Sequence, residues 1–399
     1  MRIGIFSECY KPTMNGVVIS IETFKKSLEK KGHEFFIFAP KTKKYIDQEK
    51  DIFRIPSFAW PGQNYYPIAL PIFAPWVLEK AIELELDLIH CQHLFNMGGL
   101  GLSVGHKLQI PVVYTYHTLI AEYNQYFPLA ESITKKYLIK KSKNFCNLCD
   151  QIVAPSQSMK KVLYRYGVRK PIEVIPTGIE PKKFKRYDSR LLKAKYDIAD
   201  NEKLLLFVGR LAEEKNLSFL LKAFRLIRKK HHARLIIVGG GPQEAEYKKL
   251  CFDLGISEWV IFTGFLDKDE TEKIFGSSDI FVFPSITDTQ GIVITEAMAA
   301  GTPPVAVAKM GPKDIINTGK DGLLTDLTLD DFSGKIGYLL RNPEVLKKMS
   351  IEAKKTAIKY SNEVSANKME KLYFQTQKRK NYGYQTSQLH SRPSTETDI

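Results

Sequence analysis

The same succession of short apolar strands and amphipathic helices occurs twice along this 399-residue chain. The first series starts with an apolar strand at Arg2–Phe6, and the second starts with one at Leu204–Gly209. Alternating strands and helices are typical of parallel, doubly wound sheets, and the length exceeds that of one ordinary domain. The sequence therefore predicts an α/β protein with two Rossmann-like domains. We expect the two domains to face each other across a cleft. Ligands bind at the strand-end loops of such sheets, so these loops are expected to line the cleft.

A polar and basic stretch, 180–200, interrupts this alternation and is interpreted as a linker. It divides an N-terminal domain, 1–190, from a C-terminal domain, 191–354. Residues 332–377 have the pattern of helices, and the last helix, about 355–377, is expected to pack back on the N-terminal domain. Residues 378–399 lack apolar periodicity and are predicted to be a disordered tail.

The composition is that of a globular protein, with 44% hydrophobic and 26% charged residues. Its five scattered cysteines favour a reducing, cytoplasmic compartment over a disulfide framework. No apolar run reaches the ~18–20 residues of a membrane span, and the first residues do not resemble a signal peptide. The sequence contains neither GxGxxG nor GxxxxGK[ST], which counts against nicotinamide dehydrogenases and P-loop NTPases.

The net charge is +15, and its excess is local, since residues 101–250 contain 29 basic and 13 acidic side chains. A basic half predicts an anionic partner: nucleic acid, a phosphorylated substrate or an anionic membrane. Nucleic-acid binding is the alternative from another class of protein. Basic residues interleaved with aromatics in a known module would indicate it, and this sequence has no such module. We therefore expect no nucleic-acid partner.

Arg210 and Lys215 stand five residues apart in GRLAEEKN, at a predicted strand-to-helix junction. Backbone N–H groups and the helix dipole at such a junction attract anions. Two cations there favour binding of a diphosphate leaving group without a metal. The alternative is a pair of solvated surface cations.

Asp288 and Glu296 stand eight residues apart, with Gly291 between them. Asp288 is predicted to lie in a loop after a strand, and Glu296 at the start of the helix that follows. Carboxylates accept hydrogen bonds from the paired hydroxyls of a sugar or ribose, and the alternative is helix capping. His117 ends a predicted strand on the side where the cleft is expected. It is either a structural histidine or part of the site.

Two short motifs are interpreted as structural. Cys146 and Cys149 form a single CxxC without the further ligands of a zinc site, so they are predicted to pack a helix. Asp267 and Asp269 resemble a metal-binding DxD in letters only, because a helix pattern follows and capping explains them. The sequence therefore predicts no metal site.

Together, an ordered set of segments resembles the family 4 retaining glycosyltransferases of GT-B fold. The set spans Ile3 to about Tyr373, and within it TDTQG is most similar to the subgroup that transfers glucose to diacylglycerol. The family's E-x7-E pair begins here with Asp288, one methylene shorter than Glu. The matching segments are PTMNGV, LIHCQH, YTYHT, APSQSM, IPTGIEPKKF, FVGRLAEEKN, IVGGGP, FTGFL and FPSITDTQGIVITEAMAAGTPPVAV.

The resemblance implies a UDP-sugar donor, no metal or other cofactor, and a same-face mechanism in which the departing phosphate oxygen helps to deprotonate the acceptor. Arg210 and Lys215 are implied to hold the diphosphate, which Gly16 lets the N-terminal loop approach. Asp288 is implied to lie near the transferred sugar, and His117 to lie against it. The remaining implied donor contacts are the Glu296 carboxylate, on the ribose hydroxyls, and the backbone of Gln290, Gly291, Ile292 and Val293.

The acceptor side is predicted from the basic segment Glu131–Leu148, which contains five Lys and one Glu. Basic helices with apolar and aromatic neighbours suit anionic membranes, and the alternative is a solvated helix of a soluble enzyme. We expect a peripheral protein on the inner face of the cell membrane. The residues predicted to contact membrane or acceptor are Tyr123, Tyr126, Phe127, Lys135, Lys136, Lys140 and Lys141.

The sequence therefore predicts a retaining transferase that moves glucose from UDP-glucose to a lipid acceptor, diacylglycerol or a glycosyl-diacylglycerol. The alternative enzyme is a mannosyltransferase that uses GDP-mannose and acts on phosphatidylinositol or a polyprenyl lipid. A third hypothesis is an inactive family member that serves as a scaffold, because Asp288 departs from the family pattern.

Overall fold

The computed structural model describes residues 1–58, 67–122 and 131–390, and the chain forms two compact units. Unit 1 contains Met1–Pro155, Lys160–Ile175 and the chain from Ser365 onward. Unit 2 contains Ser156–Met159 and Pro176–Val364. The chain passes into unit 2 at Pro176, 14 residues before the predicted boundary at residue 190.

The regular elements are numbered in chain order. The strands are β1 (Arg2–Phe6), β2 (Glu34–Pro40), β3 (Ile52–Ile55), β4 (Ser57–Phe58), β5 (Ile68–Ala69), β6 (Leu88–Cys91), β7 (Val112–Thr115), β8 (Gln151–Ala154), β9 (Ile172–Val174), β10 (Lys203–Val208), β11 (Ala233–Val238), β12 (Val260–Gly264), β13 (Ile280–Phe283), β14 (Pro304–Val307) and β15 (Leu323–Thr325). The α-helices are α1 (Gly16–Glu29), α2 (Trp76–Glu83), α3 (Asn96–Leu108), α4 (Glu131–Leu148), α5 (Gln157–Arg165), α6 (Ser189–Lys195), α7 (Leu217–Arg228), α8 (Glu244–Asp253), α9 (Lys268–Ser277), α10 (Ile292–Ala300), α11 (Met310–Ile315), α12 (Leu329–Arg341), α13 (Pro343–Ile358) and α14 (Asn362–His390).

Unit 1 is built on a parallel sheet with the strand order β3-β2-β1-β6-β7-β8-β9. The order reverses between β1 and β6, so the loops that leave these two strands diverge and open a crevice at the carboxyl edge of the sheet. The strand predicted at Arg2–Phe6 is confirmed with those bounds. β3 was not predicted, because only one of its four residues is buried and its apolar pattern is weak.

The last helix, α14, packs on the sheet of unit 1. Met369 and Tyr373 are buried with Ile3 and Ile5 of β1 in one apolar cluster. The Tyr373 hydroxyl lies 2.6 Å from His90 Nδ1. This helix therefore contributes to the core of unit 1 although it lies at the far end of the chain.

The disordered tail predicted from residue 378 is wrong as far as His390, because α14 continues to that residue. Tertiary contacts beyond Tyr373 hold the helix on the sheet. Thr376 is buried, and Arg379 donates to Gln151 Oε1 at 2.6 Å. Lys380 pairs with Asp150 at 3.0 Å. Residues 391–399 lie outside the described residues.

Unit 2 is built on a parallel sheet with the strand order β12-β11-β10-β13-β14-β15. Counted within the unit, this is the Rossmann order 3-2-1-4-5-6, in which ligands bind where the order reverses. Here the reversal falls between β10 and β13, which pair directly. The two-domain α/β fold predicted from the sequence is confirmed.

The segment 180–200 is not a free linker. Phe184, Leu192 and Ile198 are buried in the core of unit 2, and Asp188 caps α6 by accepting from the backbone N–H of Arg190. The prediction failed because the many exposed Lys and Arg side chains of this segment mask three widely spaced apolar anchors. The segment is therefore part of the second unit.

Both structural interpretations of the short motifs are confirmed. Cys146 and Cys149 are buried thiols at the end of α4. Asp267 caps α9, because its side chain accepts from Glu270 N at 2.8 Å. Among the described helices, none is long and apolar enough to cross a bilayer.

Candidate active site

The strongest candidate site lies in unit 2, at the carboxyl ends of the adjacent strands β10 and β13. The loop after β10 contains Arg210 and a 3₁₀ turn, Glu213–Lys215. The loop after β13 is tied to this turn, because Ser285 Oγ donates to Glu214 O at 3.0 Å and Thr287 Oγ1 does so at 3.3 Å. The two loops therefore form one connected structure at the switch point of the sheet.

Two ion pairs join charged residues in these loops. Lys215 Nζ lies 2.5 Å from Asp288 Oδ2, and both side chains are largely buried, with 21% and 17% exposed. Arg210 pairs with Glu214 within its own loop. The structure thus brings Lys215 and Asp288, both predicted site residues, into direct contact, and Arg210 lies three residues before the 3₁₀ turn that ends in Lys215.

Close backbone packing between the β10 and β11 loops requires glycine. A Cβ on Gly239 would lie 2.1 Å from Gly209 O, and one on Gly241 would lie 2.3 Å from Leu211 O. Gly239 also has a φ of +123°, which side chains rarely adopt. The GGGP segment therefore buttresses the loop that carries Arg210 and Lys215.

The N-terminus of α10 provides backbone donors beside the same loops. Its N-cap, Gly291, has a φ of +83°, and no side chain caps the helix. Uncapped N–H groups and the helix dipole attract anions, and the donor contact of the Ile292 and Val293 backbone stays a prediction. Gln290 has a structural role, since its side chain accepts from Thr177 N at 2.8 Å and donates to Thr177 O at 2.7 Å.

Glu296 lies on α10 and is half-buried. Burial raises the pKa of its carboxyl group to about 7, an effect that Glu272 reinforces and Lys268 opposes. Its carboxylate makes no hydrogen bond or ion pair with any described residue. A desolvated carboxylate without a partner is a typical feature of a binding site, and it is available to accept hydroxyl groups of a ligand.

The corresponding strand ends of unit 1 carry His117, at the end of β7. His117 Nε2 lies 2.7 Å from Gln92 Oε1, at the end of β6. Burial, together with His93 and His90, holds the pKa of His117 well below 6.5. The ring is therefore neutral at pH 7, and its Nε2 is oriented by the Gln92 amide, which was not among the predicted site residues.

Glu8 and His93 were also not predicted, although both follow strands that meet at the switch point of unit 1. Burial raises the pKa of Glu8 to about 7 and lowers the pKa of His93 to about 4. Glu8 N donates to His93 Nδ1 at 3.1 Å, and Glu8 Oε1 accepts from Met97 N at 2.6 Å. Their positions directly after β1 and β6 are the sequence signal that would have found them.

Gly16 is the first residue of α1. Nothing lies within 4 Å of the position that a Cβ would take there. Asn15 caps the helix, because its side-chain oxygen accepts from the N–H groups of Val17 and Val18, each at 3.0 Å. The loop after β1 therefore ends in open space at a helix N-terminus, and the predicted approach of a diphosphate to Gly16 stays a prediction.

The predicted acceptor face lies on α4 of unit 1. Lys136 and Lys140 are exposed, whereas Lys135 and Lys141 are half-buried. Lys141 Nζ lies 4.4 Å from the centroid of the Phe95 ring. Tyr123, Tyr126 and Phe127 lie outside the described residues.

Two apolar side chains accompany these lysines. Ile133 and Tyr137, one helical turn apart, are 63% and 59% exposed. Exposed apolar side chains beside lysines are typical of a helix that lies on a lipid surface.

Among the residues that the structure describes, no group of three or more His, Cys, Asp or Glu is arranged to hold a metal ion.

Comparison with known families gives two consecutive matches. The model described as Glycosyltransferase Family 4 matches residues 14–183, and the model described as Glycosyl transferases group 1 matches residues 188–356.

Curated relatives resemble most of the chain. The alpha-monoglucosyldiacylglycerol synthase of Streptococcus pneumoniae is 37% identical, across 77% of this chain and 71% of the relative. The enzyme of the same name from Acholeplasma laidlawii is 31% identical, across 94% and 96%. A GDP-mannose-dependent alpha-mannosyltransferase of Corynebacterium glutamicum is 30% identical, across 82% and 77%.

Solved structures share the fold at low identity. Sucrose-phosphate synthase from Thermosynechococcus elongatus superposes with a TM-score of 0.77 at 22% identity, across 94% of this chain and 98% of the other. The Anabaena HepE protein in complex with UDP gives 0.77 at 19% identity, across 93% and 99%.

Two Rossmann-like parallel sheets, each with titratable residues at its switch point, place the chain in the class of GT-B glycosyltransferases. Within that class, the chain belongs to glycosyltransferase family 4, with the group 1 domain as its second half. The family resemblance expected from the sequence is confirmed.

Proposed function

We propose that this glycosyltransferase moves glucose from UDP-glucose to diacylglycerol or a glycosyl-diacylglycerol, with retention of anomeric configuration and without a metal. The observation that carries the proposal is the match with two alpha-monoglucosyldiacylglycerol synthases, at 37% and 31% identity over most of this chain. The charge arrangement at the switch point of unit 2 supports the donor half of the reaction.

The donor diphosphate binds the loop after β10. A leaving diphosphate gains negative charge as the glycosidic bond breaks, and preorganised cations stabilise that charge. Lys215 and Arg210 provide the cations, and the N–H groups of Ile292 and Val293 provide neutral donors. Lys215 exchanges its Asp288 partner for the phosphate as the donor binds, which frees Asp288 for the sugar.

The two carboxylates have different partners in this reaction. Asp288 contacts the hydroxyls of the glucose that is transferred. Glu296 accepts hydrogen bonds from the ribose, for which its unpartnered carboxylate is suited. Ionisation of Glu296 above its pKa of about 7 strengthens its bonds to the ribose, because charged acceptors bind hydroxyls more strongly than neutral ones.

Retention follows a same-face course. The bond between C1 of glucose and the phosphate oxygen breaks, and the acceptor hydroxyl attacks C1 from the same side. Its proton passes to the departing phosphate oxygen. The alternative retaining course would need a carboxylate of unit 1 as the nucleophile. Glu8 is a desolvated carboxylate of unit 1, but its oxygen already accepts the Met97 N–H and so has a structural role. This supports the same-face course. His117 lies against the sugar as a neutral hydrogen-bonding group.

The acceptor is a membrane lipid, and α4 docks unit 1 on the anionic inner face of the cell membrane. Lys136 and Lys140 attract lipid phosphates, and Ile133 and Tyr137 enter the headgroup region. Near an anionic surface each lysine contributes about 1 kcal/mol, and the attraction decays within a Debye length.

A donor-by-acceptor matrix tests the proposal. Purified protein is incubated with radiolabelled UDP-glucose or GDP-mannose and with diacylglycerol, monoglucosyldiacylglycerol or phosphatidylinositol, and products are separated by thin-layer chromatography. We expect label in a glucolipid only with UDP-glucose, undiminished by EDTA. Label from GDP-mannose alone, or activity that EDTA abolishes and magnesium restores, would contradict it.

The second candidate is a GDP-mannose-dependent mannosyltransferase. It is supported by the relative of that name from Corynebacterium glutamicum, 30% identical across 82% of this chain. Thermal unfolding in the presence of UDP or GDP separates the two candidates before any acceptor is known, because the nucleotide that binds raises the unfolding temperature.

A further inference from the structure

Unit 2 carries a second concave site, away from the loops described above. A cavity of about 510 Å³ is lined by four Arg or Lys side chains, two histidines and one tryptophan. The residues that matter most for its chemistry are Arg225, Arg228, Lys229, Lys230, His232 and Trp259. We call this group the basic cavity.

The basic cavity lies at the amino edge of the sheet. Arg228 ends α7, His232 directly precedes β11, and Trp259 directly precedes β12. All strands of this sheet are parallel, so their amino ends share one edge and Gly209 lies at the other. β10 has six residues, and at about 3.3 Å per residue the two edges are roughly 20 Å apart. The basic cavity is therefore distinct from the site at Lys215.

The positive charge of the cavity is mostly uncompensated. Arg228 Nη1 lies 3.5 Å from Glu202 Oε1. The Glu202 carboxylate is shared with a second arginine, because its Oε2 also accepts from Arg234 Nε at 2.6 Å. The exposed side chains of Arg225, Lys229 and Lys230 form no ion pair within the part of the chain that the structure describes.

Helix capping does not account for this cluster. The carboxyl end of a helix carries about half a negative charge, which is far less than the four cations gathered here. Two further carboxylates adjoin lining residues in the sequence: Glu258, beside Trp259, is exposed, and Asp253, beside Leu254, pairs with Lys249 at 3.0 Å. The cluster therefore has a net positive charge that an external anion would neutralise.

The cavity also has a fixed wall. The guanidinium carbon of Arg228 lies 4.6 Å from the centroid of the Trp259 ring, and such stacking holds the planar group in one orientation. Leu254 and Ile256 line the apolar side. A preorganised arginine, flanked by exposed lysines and an apolar wall, suits an anion attached to an organic group.

We propose that the basic cavity is an anion site that binds a phosphate group. Arginine and lysine are the side chains that recognise phosphate in proteins, and the volume is in the range of small-ligand sites. A free phosphate compound and the headgroup of an anionic lipid offer the same chemistry. The site does not depend on the proposed transfer reaction, because none of its residues belongs to the loops around Lys215.

Trp259 reports directly on this site. The chain has three tryptophans, so Trp60→Phe with Trp76→Phe leaves Trp259 as the single emitter. This protein is titrated with inorganic phosphate, with phosphatidylglycerol vesicles and with phosphatidylcholine vesicles. We expect a saturable change in emission with at least one of the two anionic probes and none with phosphatidylcholine. A response to phosphate identifies a free phosphate compound as sufficient, and a response to phosphatidylglycerol alone identifies a lipid headgroup.

The cluster variant Arg225→Gln/Lys229→Gln/Lys230→Gln, made in the same background, is expected to bind the responding probe at least about tenfold more weakly. These three side chains are exposed, so the fold should persist, and circular dichroism checks this. The matched control is Lys347→Gln/Lys348→Gln/Lys359→Gln, which removes the same charge from exposed positions of unit 2 and should keep the affinity. Unchanged affinity in the cluster variant, an equal loss in the control, or no response to either anionic probe would overturn the proposal.

Discussion

Lys215 Nζ lies 2.5 Å from Asp288 Oδ2, and this ion pair joins the loop after β10 to the loop after β13. The two residues are 73 positions apart in the sequence and meet because β10 and β13 are neighbours at the switch point of the sheet. A cation and a carboxylate held together in this way are both positioned before any ligand arrives. A diphosphate that approaches this site competes with Asp288 for Lys215.

Replacing Lys215 or Arg210 with Ala should lower turnover about ten- to hundredfold each, because charge-assisted bonds are worth ~1.5–3 kcal/mol. Initial rates at saturating UDP-glucose measure this effect. Lys222→Ala is the control, because Lys222 is an exposed cation on α7, and it should leave the rate unchanged. Near-normal turnover in the Arg210/Lys215 double variant would refute the assigned role.

Asp288→Ala and Glu296→Ala should differ in what they impair. Loss of Asp288 should lower kcat with little change in the affinity for UDP, whereas loss of Glu296 should weaken the binding of UDP itself. Titration calorimetry with UDP and steady-state kinetics separate the two effects. Asp288→Glu, which restores the residue usual in the family, should be tolerated. An equal loss of affinity for UDP in both Ala variants would be inconsistent with this division of roles.

Glu296→Gln should stabilise the free protein at high pH. The folded protein holds the Glu296 proton up to a pKa of about 7, whereas the unfolded chain releases it near 4.5. Below pH 4.5 the carboxyl group is protonated in both states and does not lower the free energy of unfolding. Between pH 4.5 and pH 7 its ionisation progressively lowers that free energy. Above that, we expect Gln to raise the free energy of unfolding by on the order of 2 kcal/mol.

Urea unfolding of the wild type and of Glu296→Gln at pH 5 and pH 8 measures this difference. The gap between the two proteins should be small at pH 5 and larger at pH 8. The same substitution should lower the affinity for UDP. A variant that is more stable but binds UDP more weakly would show that Glu296 serves binding and not the fold. A gap that is equal at both pH values would show that burial does not perturb Glu296.

Replacing the four lysines of α4, namely Lys135, Lys136, Lys140 and Lys141, with Gln should abolish flotation of the protein with phosphatidylglycerol vesicles. Their summed attraction is up to roughly 4 kcal/mol, and wild-type binding should fall as salt is added. Binding of UDP should survive, because the donor residues belong to unit 2.

The control for this experiment removes the same charge elsewhere in unit 1, at the exposed residues Lys30, Lys41, Lys43 and Lys44. It should float like the wild type. Equal flotation of the α4 variant and the wild type would exclude α4 as the anchor, and a wild type that never floats would favour a soluble acceptor.

Some features follow from local sequence alone. The strand Arg2–Phe6 and the capping of α9 by Asp267 depend on patterns within a few residues, where apolar runs and short polar side chains act directly on the backbone. The two-sheet architecture follows as well, because alternation of strands and helices restricts the chain to parallel sheets. The positions of Arg210 and Lys215 after a strand were predictable for the same reason.

Other features were decided by contacts between distant residues. The segment 180–200 joins the core of unit 2 through Phe184, Leu192 and Ile198, which its polar composition conceals. α14 continues beyond residue 378 because Arg379 and Lys380 bind partners near β8, more than 200 positions away. No local pattern encodes such contacts, since they depend on which strands become neighbours in the folded sheet. Burial without a partner, which raises the pKa of Glu296, likewise arises only when the tertiary structure removes water from that carboxylate.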